Sequence, residues 1–509
     1  MDLARMIPDD ATIAFAGFGG MGQCDAVVRA IRDSFLQSGH PRNLTIFHAA
    51  GQSDSTNGLE HIALEGLISR IIGGHWGLLP KTRTLIENNL VEAYCLPQGQ
   101  LTHLFRTIAN GLPGHFSQIG IGTFVDPRIE GGKFNERAKQ SGYSPVELIS
   151  IFGEEYLFYK GLSFDYVLIR GTAIDERGNV STKEEPLKLE LLSAAQAARA
   201  GGGKVIVQVK HLVQYGTIHP KDVVIPGYLV DYVVIADNPE LDHRQVPNAV
   251  YDPKYSGDIR VPVGDIPKLP LDIRKIIGRR AVKELGKNSI VNVGIGIPGD
   301  VIGPVSAEEG LLDDMILTVE SGVVGGVPAG KNEFGITVNA DAILDHASQF
   351  DHYHGCGVDV TFMGAAEIDQ VGNVNVSKFA GRKVGCGGFI DVTQPAKKVV
   401  FCTTFTNGGL HVTVDNGNLK IVHEGRNKKF VNRVAQITFS GSYASRLQKP
   451  VLYVTERAVF ELGKEGMVLT EIAPGVDLEK DILEQMEFRP VISPSLKLMD
   501  EGIFREKIE

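Results

Sequence analysis

The strings DYVLIRGTAIDERGNV, residues 165–180, and DVTFMGAAEIDQVGNV, residues 359–374, decide the fold. Both open on Asp, both carry Ile-Asp at matched places, and both end Gly-Asn-Val, at an offset of 359 − 165 = 194. The same offset aligns KVIVQV from Lys204 with KVVFCT from Lys398. Self-similarity at a fixed spacing marks two related halves. Further upstream, Gly17-Phe18-Gly19 after ATIAFA aligns with Gly294-Ile295-Gly296 after SIVNV at 294 − 17 = 277, so the first half carries an insertion of 277 − 194 = 83 residues.

Around these strings, short β-branched runs (TIAF, NLTIF, DYVLI and KVIVQV, then SIVNV, MILTV, VDVTFM and KKVVFC) alternate with helical stretches such as CDAVVRAIRDSFLQ and LELLSAAQAARA. Strands alternating with helices imply right-handed crossovers and parallel pairing. The expected fold class is therefore α/β, with two related open-sheet halves of largely parallel strands, the N-terminal half being the larger. Residues 1–255 form the first half and 276–509 the second. The linker is 256–275, set in a stretch (251–272) rich in Pro, Gly and Asp and lacking periodicity.

At 509 residues the chain has room for several cores. No apolar run approaches the roughly 20 residues of a membrane span, and the start MDLARMIPDDAT lacks the basic and apolar segments of a targeting peptide. The five cysteines (Cys24, Cys95, Cys356, Cys386, Cys402) contain no CxxC, which favours a reducing cytoplasm. A net charge of −10 argues against nucleic acid as a partner. Neither membrane nor nucleic acid is expected to bind.

The chemistry converges on LTVESGVVGGVPAG, residues 317–330, where the lone carboxylate of Glu320 ends an apolar strand and opens onto a glycine-rich turn. Strand ends that meet such turns bring backbone and ligand close to one side chain. In the alignment of halves, LTIF at 44–47 meets LTVE at 317–320, which puts Phe47 where the second half has its acid. Two further clusters supply hydrogen-bond donors. VGCGGFID, 384–391, offers bare backbone N–H groups, and LPQG, 96–99, offers a glutamine amide held by its neighbours. A nucleophilic carboxylate with donors for a tetrahedral oxyanion makes a set for acyl transfer. No GxSxG or Walker sequence competes.

Other motifs carry less. GFGGMG, 17–22, fits the dinucleotide fingerprint, but the next strand ends near His48 without the ribose-binding acid, so a turn facing an active site is expected instead. FDHYHGCG, 350–357, spaces His352, His354 and Cys356 like a strand or loop beside Glu320; without a second ligand cluster no metal is expected. Trp76 reads as packing. Lys378, Arg382 and Lys383, beside the CGG loop, are candidates to contact phosphate.

These residues resemble the family I CoA-transferases. ESGVVGGVPAG, VNVGIGIP and CGGFID carry the likeness in the second half. GHWGLLPK, YCLPQG, HLFRTIANGLPG, IGTFVDPRIEGGK and LIRGTAIDERGN are similar to the single-chain propionate and acetate CoA-transferase branch, and the likeness extends to TEIAPGVDLEKDIL at 470–483. The resemblance implies a ping-pong transfer of CoA between a short-chain acyl-CoA and a free carboxylate, through a glutamyl-CoA thioester on Glu320. It implies Gly388 as the oxyanion amide, with Gln98 and Asn375 as further catalytic donors; Gly387, Lys378 and Arg382 are expected toward CoA from their place in and beside the CGG loop. It implies a cytoplasmic homo-oligomer, dimer or tetramer, with CoA as a substrate and no separate cofactor. The sequence departs from the pattern at Cys24-Asp25, where relatives carry Pro-Glu, and at His352 and His354, where Tyr and Asp are familiar. The rival readings are acyl-CoA hydrolysis through the same intermediate and a catalytically silent acyl-CoA sensor.

Overall fold

A computed structural model describes residues 2–262 and 268–506. In the first half, seven strands lie in the spatial order Tyr232–Ile235, Lys204–Val209, Tyr166–Arg170, Thr12–Phe15, Leu44–His48, Ile68–Gly73 and Glu92–Cys95. Every neighbouring pair is parallel. In the second half, Met315–Val319, Ser289–Val293, Val360–Met363, Val399–Cys402 and Val451–Val454 form a parallel centre. Antiparallel strands extend that sheet at both ends, through Val323–Val324 on one side and Ala458–Gly463 on the other. The expected α/β fold with two open, largely parallel sheets is what the chain adopts, and one contiguous apolar core joins them.

The duplicated aspartates explain why these letters repeat. The Asp165 carboxylate accepts the Thr12 N–H at 2.7 Å, and the Asp359 carboxylate accepts the Ile290 N–H at 2.8 Å, each pinning the start of the central strand to its neighbour. Asp175 and Asp369 organise matching turns, each accepting the backbone N–H and the side-chain amide of Asn179 or Asn373 within 3.0 Å. The ladder also corrects the alignment. Thr12 is equivalent to Ile290, an offset of 290 − 12 = 278, one more than the glycines indicate. Ala14 pairs with Phe47 and Asn292 with Thr318, so Phe47 matches Thr318 and the first-half equivalent of Glu320 is Ala49. Phe47 faces the core instead, against Phe105 and Phe164, each with ring centroids 5.1 Å away. Matching apolar letters slid the strand by two residues because both registers keep the same face inward.

Strands Ile68–Gly73 and Glu92–Cys95 and a separate sheet of Gly114–Ser117, Glu154–Lys160 and Val146–Ile151 occupy the inserted segment. Of the expected linker 256–275, residues 263–267 lie outside the described residues, and 273–275 already belong to the helix Ile273–Ala281, which Asp272 caps through the N–H groups of Arg274 and Lys275. Among the described residues no helix is long and apolar enough to cross a membrane.

Removing the Asp369 carboxylate leaves four neighbouring donors without their acceptor: the N–H groups of Val371, Asn373 and Val434 and the Asn373 amide. Asp369→Ala is expected to lower unfolding stability by roughly 2–4 kcal/mol in urea titrations, and Asp175→Ala, in the other half, to add to it.

Candidate active site

The two halves meet along a strip of backbone rather than only through side chains. The Trp76 N–H donates to Val384 C=O at 2.6 Å, the Gly387 N–H to Gly74 C=O at 2.7 Å, and the Gln98 N–H to Gly387 C=O at 3.0 Å. Glycine is required here. A Cβ on Gly385, whose φ is +87°, would lie 2.6 Å from the Gly74 oxygen, and one on Gly74 would lie 2.5 Å from that of Ala49. The strip therefore sets LPQG directly against CGGF, two clusters that the sequence places far apart.

Beside the strip lies a cavity of about 410 Å³ lined from both halves. Phe18, Gly19, His75 and Gln98 come from the first; Gly294, Glu320, Met363, Gly387 and Gly388 come from the second. The GFGGMG turn thus faces the cavity, as expected of a site-lining loop. Glu320 follows its strand at the C-terminal edge of the sheet, where open α/β folds bind ligands. It is 8% exposed, and its Oε2 has no hydrogen-bond partner. Burial pushes its pKa up from the ordinary carboxylate range to about 7, against a hydrogen bond to its own backbone, the field of His346 and a weak bond from Asn292. A Cβ built on Gly388 would lie 3.2 Å from Glu320 Cγ, so any larger residue here would press on the glutamate side chain. Among the described residues the Gly388 N–H has no acceptor within the chain.

Gln98 is 2% exposed and begins the helix Gln98–Ala109. Its amide Nε2 lies 2.8 Å from His346 Nε2, while His346 Nδ1 lies 2.6 Å from Glu190. With the imidazole proton on Nδ1 given to Glu190, Nε2 accepts one amide hydrogen of Gln98 and leaves the other for the cavity. Asp391, fully buried in the first turn after Gly388, ties the clusters together. It accepts the Gly99 N–H at 2.9 Å, the Gln100 amide at 2.8 Å and His354 Nε2 at 3.1 Å. The sequence reading missed Glu190, His346 and Asp391 as working residues. Asp391 stood in the quoted string as an acid opening a helix; Glu190 and His346 carry no local signal.

Other expected residues fall elsewhere. Asn375 does not line the cavity; its amide serves Glu367 and Lys378 C=O, and its oxygen accepts from Ser377 and Lys378 N–H, so it builds a turn. Gly387 lines the cavity, but its N–H and C=O are both spent on the strip between halves. Lys378 and Arg382 sit on a hairpin that presents Phe379 to the cavity, and neither cation lines it. His352 and His354 lie in the helix His346–Gly355, not in a strand or loop. Their alternate spacing turns them apart on that helix, and His354 braces Asp391 from behind the site. Trp76 is fully buried against Phe134, as packing. Asp25 accepts the Gly58 N–H at 2.7 Å, a structural use of the departure from Pro-Glu.

Residues 2–236 match the family model described as coenzyme A transferase. The chain is 45% identical to caffeate CoA-transferase of Acetobacterium woodii, over 99% of this chain and 97% of that one. It is 46% identical to acetate CoA-transferase YdiF of Escherichia coli (strain K12), over 99% and 94%. The solved acyl-CoA transferase YdiF of Escherichia coli O157:H7 superposes with a TM-score of 0.93 at 45% identity, covering 99% of this chain and 95% of that one. This holds both for the apoenzyme and for a thioester complex with CoA.

Asp391→Asn keeps the side chain's shape but removes its charge. It is expected to lower kcat about 10- to 100-fold, through misplaced donors, while KM for acyl-CoA changes less than threefold and the far-ultraviolet spectrum is unchanged. Steady-state kinetics check it.

Proposed function

The chain belongs to the coenzyme A transferase family and is a CoA-transferase, and from that premise we propose that it moves CoA between short-chain acyl-CoA and a free carboxylate by a ping-pong route through Glu320. The observation that carries this reading is a desolvated carboxylate with one unpaired oxygen, set beside an unpartnered backbone N–H in a cavity walled largely by apolar groups.

Glu320 attacks the thioester carbonyl, and the C–S bond breaks to give an acyl-glutamyl anhydride and CoA thiolate. The thiolate attacks the glutamyl carbonyl, releasing the first carboxylate and leaving a glutamyl-CoA thioester. An acceptor carboxylate then reverses both steps. Each attack raises an oxyanion, and in this reading the Gly388 N–H and the second amide hydrogen of Gln98 receive it. Exclusion of water keeps anhydride and thioester from hydrolysing. The relatives' named substrates, acetate and caffeate, support carboxylic acids as the acceptor class. Five free cysteines support a cytoplasmic location, and a dimer or tetramer completes the reading; light scattering tests the latter.

The proposal is tested by incubating the enzyme with acyl-CoA and digesting it: the peptide bearing Glu320 gains the mass of CoA less water. Active enzyme with that peptide unmodified overturns the route.

The nucleophile must be ionised, so kcat/KM for acyl-CoA is expected to rise about tenfold per pH unit below about 7 and to level off above it. Stability runs the other way. The folded-state pKa lies above the unfolded value, so the stability due to protonated Glu320 is fully present below about pH 4.5. It is lost as pH rises through about 7, a cost on the order of 3 kcal/mol. Glu320→Gln is therefore expected to abolish transfer yet melt higher than the parent at pH 8, with the gap closing by pH 5 in thermal scans.

A further inference from the structure

Among the described residues, one carboxylate and one cation line the cavity: Glu320 and Lys429. Lys429 has no carboxylate within ion-pair distance among the described residues. Its ammonium group donates to the Thr403 hydroxyl at 2.6 Å and lies 3.4 Å from the Ala365 C=O, both neutral. The nearest acid to act on it, Glu456, is spent on Arg457 at 2.7 Å and on the Phe405 N–H at 2.9 Å. Burial holds the Lys429 ammonium down to about 8, the mark of a cation short of a counter-charge. A cation in that position costs stability unless a ligand supplies the anion.

The sheet provides a ruler. Glu320 leaves the end of Met315–Val319, and the next strands across are Ser289–Val293, Val360–Met363 and Val399–Cys402. Lys429 rests on Ala365 and Thr403, just past the last two. That is about two and a half strand spacings, roughly 12 Å from the carboxylate. The wall between them (Gly294, Ile295, Met363, Gly364, Ala365) carries no charge. The pantetheine arm of CoA, from sulfur to the first phosphorus, has about the reach of four extended residues, roughly 14 Å. An arm laid along this neutral wall with its sulfur at Glu320 brings the diphosphate to Lys429. Exposed Arg426 and Lys428 add positive charge just before it in the chain.

We propose that Lys429 is the residue that binds the diphosphate of the CoA thioester, in place of the Lys378 and Arg382 expected from sequence. This rests on the reading that a CoA thioester reacts at Glu320.

The test compares three donors, acyl-CoA, acyl-dephospho-CoA and acyl-pantetheine, the last lacking the diphosphate and nucleotide, on the parent enzyme, Lys429→Met and Lys429→Arg. Lys429→Met is expected to lower kcat/KM about 10- to 100-fold for acyl-CoA and for acyl-dephospho-CoA alike. It is expected to leave acyl-pantetheine within twofold, and Lys429→Arg to recover most of the loss. Equal losses on all three donors, or no loss on any, overturn the assignment. A loss confined to acyl-CoA moves the contact to the 3′-phosphate and also overturns it. Failure of the underlying reading shows differently, as a parent enzyme that transfers no CoA and forms no adduct on Glu320.

Discussion

The backbone strip joining residues 74–76 to 384–387 is the constraint on which the site depends. Two N–H···O=C bonds cross it and a third joins Gln98 to Gly387 beside it, each directional in distance and angle. Gly387 is bonded on both sides, and the next residue, Gly388, lies against Glu320, with no acceptor for its N–H among the described residues. Because the Gln98 N–H is the third donor, its side chain enters the same space. Asp391 repeats the connection one layer behind, with three polar groups converging on one buried carboxylate. A buried carboxylate from one half and a side-chain amide from the other are thus held in register by bonds that need no substrate to form.

Electrostatics gives the arrangement its reactivity and its cost. Glu320 is desolvated and partly unpaired, so it holds its proton more tightly than a surface carboxylate. Glu190 is buried more deeply but bonds His346, whose other ring nitrogen meets Gln98, and accepts the Gly17 N–H as well. Two buried glutamates therefore do opposite work according to whether a partner is present. The same distinction separates Lys429 from Arg457, a fully buried cation that already has Glu424 and Glu456.

The sequence carried the duplication, the parallel sheets and the carboxylate that lines the cavity, because these rest on short-range patterns: alternating strands, a repeated Asp and a lone acid before glycines. It placed Gln98 and the CGGF loop together through resemblance, and the cavity contains both. What it lost were features set by three-dimensional approach. The Phe47 equivalence failed because two registers bury the same face of a strand. His352 and His354 were placed in a strand or loop because alternate spacing was read without the Asp345 cap that starts a helix there. Asn375 looked like a donor, although its neighbours consume every hydrogen bond it offers. Glu190, His346 and Lys429 lie far from Glu320 in the chain, and no local pattern announces a partner supplied by the other half or by another strand.

The most direct measurement is a crystal structure of this enzyme trapped with CoA after reaction with an acyl-CoA. The account predicts continuous density from Glu320 Cδ to the CoA sulfur, with the thioester oxygen about 2.7–3.1 Å from the Gly388 nitrogen. CoA joined to another residue, or a Glu320 thioester whose oxygen points away from Gly388 and Gln98, would contradict it.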